Sequence, residues 1–322
     1  MLDFVGKRYW YFLFSALIII PGIISLLIPP ALKPGIEFSS GSSMTIGFEE
    51  PVEQADLRQE LENLGHADAI IQRTGEGDFL IRTKALAPEV KDEAGTVVTP
   101  AERETLESAL RGRFGPLTVH SFDYVSPAIA AGIVRNAILA VALASVGILL
   151  YITWAFRRLP SPFRYGVCAI VAVVHDALVI VGLFSILGKL FDIEIDSMFI
   201  TGVLTIIGYS VHDTIVVFDR IRDNLTKGVS RSFEVTVNRS ILETLGRSMT
   251  TGLAVIFTLL ALYLFGGVTI HNFILVLLIG VVSGTYSSIF NASQLLVVWQ
   301  NNDIGKFIQR FRPARVPAKS RG

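Results

Sequence analysis

The run WYFLFSALIIIPGIISLLI, residues 10–28, decides the architecture. It carries no charge and is long enough to cross, as a helix, a hydrocarbon layer about 30 Å thick. Lys7 and Arg8 precede it, and Pro29-Pro30 ends it. The apolar stretch is too long for the core of a signal peptide, and no small-residue cleavage site follows. It reads as an uncleaved first membrane span. Outward from it, residues 31–128 are mostly polar, and five more apolar segments follow at about 133–156, 164–187, 196–218, 248–265 and 273–299. The fifth is short, but residues 240–248 have helix-forming character and extend it. A chain of 322 residues could make two soluble domains. With 51% hydrophobic and 17% charged residues, and a mean hydropathy of +0.56, it is too apolar for a soluble surface. The fold class expected is an α-helical polytopic membrane protein of six transmembrane helices, with one α+β domain outside the bilayer.

Composition also excludes functions. A chain with zero net charge is no simple nucleic-acid binder, and its apolar content rules out disorder. Cys168 is the single cysteine, so no disulfide framework and no Cys-rich metal or iron–sulfur site is expected. No Walker-type phosphate loop is present, and no cofactor is expected. Lys and Arg near the span ends set the orientation. Sixteen of them, from Lys7 and Arg8 through Arg157, Arg158, Arg222 and Arg239 to the tail, fall on one side against six acidic residues. The opposite short loops, 188–195 and 266–272, offer only Lys189. Both termini are therefore expected in the cytoplasm. The plan is a first span over 1–30, an extracytoplasmic domain over 31–128, the rest of the bundle over 129–300 and a basic cytoplasmic tail over 301–322.

The outer domain has a periodic pattern. Strands are expected at 43–48, 69–73, 79–83 and 117–124, and helices at 53–64 and 101–113, where Leu57, Leu61, Leu106 and Leu110 recur at helical spacing. Gly75-Glu76-Gly77 makes the turn between the middle strands, and a Pro-, Gly- and charge-rich insertion occupies about 86–99. The order β-α-β-β-α-β is ferredoxin-like. The domain has no catalytic constellation, so binding or leverage is its expected role.

An Asp at mid-span costs at least ~2.5–3.5 kcal/mol, so charges inside the spans are the candidate functional residues. Asp176 lies beside His175 in the third span, Asp213 beside His212 in the fourth, and Arg247 near the start of the fifth. The fourth and fifth spans run antiparallel, and Asp213 and Arg247 fall at similar depth. An Asp213–Arg247 pair that forms and breaks with proton uptake is expected, and a static pair or a snorkelling Arg247 is the plainer alternative. Asp176 with His175 reads either as part of a proton path or as a carboxylate capped by a neighbouring hydroxyl. Gly202 and Gly208 in the fourth span and Gly280 and Gly284 in the sixth are small-residue contacts for close helix packing.

The motif Gly-Tyr-Ser-Val-His-Asp-Thr-Ile-Val-Val-Phe-Asp-Arg-Ile-Arg-Asp-Asn at 208–224 closely resembles the signature of the SecF protein-export family. The run from Asn238-Arg239-Ser240-Ile241 to Thr244-Leu245-Gly246-Arg247-Ser248 agrees, as does Val174-His175-Asp176. Gly35-Ile36-Glu37-Phe38-Ser39-Ser40-Gly41 matches the family's first-loop motif only loosely. The resemblance implies a six-span half of a SecD/SecF assembly of the resistance–nodulation–division type, not an enzyme. It implies SecD as partner and SecYEG, SecA, YidC and YajC as the wider machinery, with unfolded preproteins as substrates. The location implied is the bacterial inner membrane, and the energy source is the proton gradient. Asp213 and Arg247 fall on the family's proton-pathway positions.

Three other readings compete. Asp176 and Asp213 could form an aspartyl-protease dyad, although the Gly-x-Gly-Asp pattern is absent. The chain could be half of a proton-driven small-molecule exporter. It could also be a structural subunit whose partner does the proton work.

Overall fold

The structure, a computed structural model, describes residues 2–74, 77–87, 90–91, 97–99, 101–267 and 270–303. The basic tail beyond 303, residues 75–76 of the first turn and residues 88–89 and 92–96 of the 86–99 insertion lie outside the described residues. Among the described residues, six helical segments are long and apolar enough to cross a membrane. They are α1 (Arg8–Leu27), α5 (Pro127–Ala155), α6 (Pro162–Phe191), α7 (Ser197–Thr226), α8 (Phe233–Phe265) and a sixth built in three parts. The sixth comprises α9 (His271–Ser287), a π-helical turn at Ser288–Ala292 and α10 (Ser293–Gln300).

The helices overrun the apolar windows. α8 starts 15 residues before position 248, and α7 continues to Thr226. The extensions are polar, yet the backbone ladder carries on through them, supported by side-chain pairs one turn apart. Arg220 reaches Asp223 at 3.0 Å, Lys227 reaches Asp223 at 2.7 Å and Arg239 reaches Glu243 at 2.9 Å. Glu243 also takes Arg220 at 2.7 Å and Asn224 at 2.8 Å, which joins α7 to α8 at this end. Lys189 is the lone basic residue in its loop region, and it is spent on α1. Its ammonium donates to the carbonyl oxygens of Ser25 and Ile28 and to Ser25 Oγ, adding a donor at the C-terminal end of α1, where helix carbonyls lack intrahelical partners. At the middle of the same pair, Gly22 and Gly182 meet backbone to backbone. A Cβ on either would fall 2.8–2.9 Å from the other's Cα.

The chain divides into two compact units: Pro34–Leu139 with Glu194–Ser197, and the remainder. The first holds α2 (Ile36–Ser39), β1 (Gly41–Phe48), α3 (Gln54–Asn63), β2 (Ile70–Arg73), β3 (Phe79–Thr83), β4 (Val90–Lys91), β5 (Val97–Thr99), α4 (Glu102–Phe114) and β6 (Leu117–Val125). β1, β2, β3 and β6 make an antiparallel sheet in the order β2-β3-β1-β6, the ferredoxin-like arrangement. β4 and β5 pair separately as a small hairpin in the insertion. Alternate strand residues Met44 and Ile46, and Phe79 and Ile81, face Leu57 and Leu61 of α3 and Leu106 and Leu110 of α4 in one core. Each such buried side chain stabilises the domain by about 1.5–3 kcal/mol.

The four residues Glu194–Ser197 belong to this unit although they form part of the turn between α6 and α7. Gly35 N donates to Ile195 O at 2.9 Å, and Pro34 and Ile195 form a parallel bridge. Ser197 N donates to Glu37 Oε2 at 2.5 Å, and Arg82 pairs with Glu194. The sequence indicated two membrane connections for the outer domain, at its start and end. The structure adds these four residues of the α6–α7 turn to the same unit.

Candidate functional site

The polar centre is built around α7, whose 30 residues send hydroxyls and a carboxylate to three neighbouring helices. Ser210, Asp213 and Thr214 lie within one turn of one another. Ser210 Oγ donates to Asp176 Oδ2 on α6 at 2.6 Å. Thr214 Oγ1 meets Ser288 Oγ of the π turn at 2.9 Å. Ser248 Oγ on α8 donates to Asp213 Oδ1 at 2.8 Å.

Asp176 is 2% exposed and fully surrounded. Besides Ser210, it accepts from Ser283 Oγ at 2.6 Å and Ser287 Oγ at 2.7 Å, both on α9. His175 Nδ1 lies 3.0 Å from its Oδ1. The imidazole continues the network: its Nε2 is 3.0 Å from Ser15 Oγ on α1, and Asn291 Nδ2 donates to Ser15 Oγ at 2.9 Å. One carboxylate thus joins α6, α7 and α9, and through His175 it reaches α1. Three hydroxyls and an imidazole nitrogen therefore surround this carboxylate.

Asp213 is buried too, but its second oxygen, Oδ2, has no hydrogen-bond partner among the described residues. The expected Asp213–Arg247 ion pair is not formed, and Arg247 makes no ion pair among the described residues. The physical reason is azimuth. Adjacent helix residues point about 100° apart, and Ser248, not Arg247, faces Asp213. Arg247 instead lines a crevice of about 430 Å³ with Asp219, Arg220, Asp223, Glu243 and Thr244, between the polar ends of α7 and α8.

The packing glycines divide. A Cβ on Gly202 would come 2.7 Å from Val276, one on Gly280 2.3 Å from Ile206, and one on Gly284 3.2 Å from Ser210. These three lie where α9 meets α7, and from the same helix Ser283 and Ser287 reach across to Asp176 on α6. Gly208 corrects the expectation: an added Cβ there meets nothing within 4 Å. Six residues at 100° each carry it about 120° round the helix from Gly202. Sequence reasoning also missed the caging hydroxyls Ser15, Ser210, Ser283 and Ser287, together with Asn291 and the π turn. The available signal was the pair Ser283 and Ser287, four apart on a mostly apolar helix.

A six-span membrane protein with one ferredoxin-like domain after its first span, and carboxylates held among its helices, is the class defined by this geometry. The family model described as "Protein export membrane protein SecD/SecF, C-terminal" matches residues 105–302. The chain is 50% identical over 319 residues to protein translocase subunit SecF of Thermobaculum terrenum, covering 97% of this chain and 98% of that protein. It is 39% identical to SecF of Anaerolinea thermophila, over 96% and 98%. Protein translocase subunit SecDF of Bacillus subtilis is 32% identical, over 94% of this chain and 39% of that one. Among solved structures, the crystal structure of SecDF from Thermus thermophilus, titled a translocon-associated membrane protein, matches with a TM-score of 0.75 and 33% identity. That match covers 93% of this chain and 39% of the SecDF chain, so the chain spans about two fifths of that protein. The chain belongs to the SecD/SecF family of protein-export membrane proteins.

Proposed function

We propose that this chain is the SecF subunit of the Sec protein-export machinery, and that it couples proton movement to preprotein translocation. Family membership supports the export role. One observation carries the proton role: Asp213 is buried inside a span with one carboxylate oxygen unpartnered among the described residues, while its neighbours Ser210 and Thr214 on the same helix are paired across to α6 and the π turn. A carboxylate with a free oxygen can take and give a proton without dismantling a network. Arg247, one residue from the Ser248 contact, supplies a positive charge at the neighbouring crevice. Protonation and release at Asp213 bias two positions of α7 against α8. One charge crossing 100 mV is worth ~2.3 kcal/mol, enough to shift a two-state equilibrium roughly fiftyfold. The α6–α7 turn is tied to the β-domain at Gly35, Glu37 and Arg82, which gives movement of α7 a direct route outward.

The partner is SecD. Relatives named SecDF carry the matching segment within one longer chain. SecYEG and SecA, with YidC and YajC, complete the machinery in this reading, and both termini face the cytoplasm of a bacterial cell. The second reading, a subunit whose role is structural, draws on the closed Asp176 cage.

The deciding experiment reconstitutes the chain with SecD beside SecYEG and SecA, then compares preprotein export with and without a proton gradient. Asp213→Asn should remove the stimulation by the gradient while the SecD complex still purifies intact. Full stimulation in that variant would eliminate the proton role and leave the structural reading.

A further inference from the structure

Where α5 gives way to α6, the connecting turn and the C-terminal end of α7 enclose a pocket of about 400 Å³. Trp154, Arg157, Arg158, Arg222 and Thr226 line it. Arg222 pairs with Asp219 at 2.5 Å. Arg157 and Arg158 have no carboxylate within ion-pairing distance among the described residues. Three guanidinium groups therefore face one acidic side chain. The rims mark the depth. Trp154 is 62% exposed and Phe163, just inside α6, is 56% exposed, as aromatic anchors at a lipid–water interface are. Arg157 lies over the Trp154 ring at 4.6 Å and Arg222 over Phe156 at 5.6 Å, so both are held in place without an anion. Below the pocket, α5 presents Val146, Leu150 and Trp154 outward.

A concave group of uncompensated arginines at the end of two spans, with an open apolar stripe leading to it, matches a phosphodiester carrying acyl chains. Guanidinium forks bind phosphate oxygens in pairs, and basic pockets between span ends hold acidic lipid headgroups. We propose that this pocket binds the headgroup of an anionic phospholipid, its phosphodiester between Arg157, Arg158 and Arg222 and its acyl chains along Val146 and Leu150. This site is separate from the Asp213 centre and stands or falls independently of the proton role.

The test uses the full chain with Trp10→Phe and Trp299→Phe, which leaves Trp154 as the fluorescent reporter. The protein is reconstituted in phosphatidylcholine containing either dibrominated phosphatidylglycerol or dibrominated phosphatidylcholine at equal mole fraction. Bromine quenching of Trp154 should show a relative affinity for the anionic lipid of roughly fivefold or more. Arg157→Gln with Arg158→Gln should bring the two lipids to near equality, whereas Lys7→Gln, outside the pocket, should keep the preference. Equal quenching in the parent protein, which needs no pocket variant to observe, overturns the proposal. So does a preference that survives the double substitution. Loss of the preference in millimolar inorganic phosphate would assign the pocket to a soluble phosphate and reject the lipid.

Discussion

Asp176 and Asp213 sit on neighbouring helices of one bundle, both buried, yet they are held in opposite ways. Asp176 is met by three serine hydroxyls and an imidazole, drawn from α6, α7 and α9. Asp213 has one hydroxyl and an idle oxygen. Charged-group hydrogen bonds are worth about 1.5–3 kcal/mol each, so the first carboxylate is a joint whose loss leaves several donors stranded. The second can change its protonation at little structural cost. Burial alone does not separate the two, but the number of partners does.

The largest expected effect breaks the pair at Asp213. Asp213→Asn should abolish gradient-stimulated export while shifting the melting temperature in detergent by no more than a degree or two; a large drop in that temperature would put Asp213 in the same class as Asp176. Next comes Asp176→Ala, which should destabilise the bundle by about 3 kcal/mol or more, because three buried hydroxyls lose their acceptor. Thermal unfolding would reveal it, and an unchanged melting temperature would mean the cage is not holding the helices. Gly280→Ala follows. Its Cβ would strike Ile206 at 2.3 Å, and overpacking of this kind costs about 1–3 kcal/mol. Ile206→Ala in the same chain should return much of that loss, and no recovery would place the strain elsewhere. Ser248→Ala removes one bond to Asp213 and should weaken gradient-stimulated export, an effect of about 1.5 kcal/mol. Added to Asp213→Asn it should change nothing further, since the two act as one unit. The smallest change is Gly208→Ala. With open space at the Cβ position, it should be neutral or stabilising by up to about 1 kcal/mol, and clear destabilisation would restore Gly208 to a helix contact.

The spans were readable because a bilayer demands long apolar runs, and nothing in residues 31–128 supplies one. Their ends were not, because hydropathy reports contact with lipid while the helix continues wherever backbone bonds and pairs such as Arg239–Glu243 support it. The four sheet strands and two long helices of the β-domain were readable to within a residue or two, whereas the short helix at Ile36–Ser39 and the β4–β5 pair were not. Phe79–Thr83 alternates cleanly between core and surface, and its helices repeat Leu at four-residue spacing. The aspartates stood out because a charge among apolar neighbours is costly. Their partners did not stand out. Serine is unremarkable in a span, and which serine meets which carboxylate depends on helix rotation. That same rotation put Ser248 against Asp213 where sequence depth alone pointed to Arg247.

The attachment of Glu194–Ser197 to the β-domain has a geometric consequence. Asp176 lies 15 residues before the end of α6, and Asp213 lies 16 residues after the start of α7. At 1.5 Å per residue both carboxylates are therefore about 23 Å from the gripped turn. The two helices are like the arms of tweezers joined at a held spring. Any spreading between them is least at the turn, equal at the two aspartates and greatest at the far tips. One of those tips, the last turn of α7, carries Arg222.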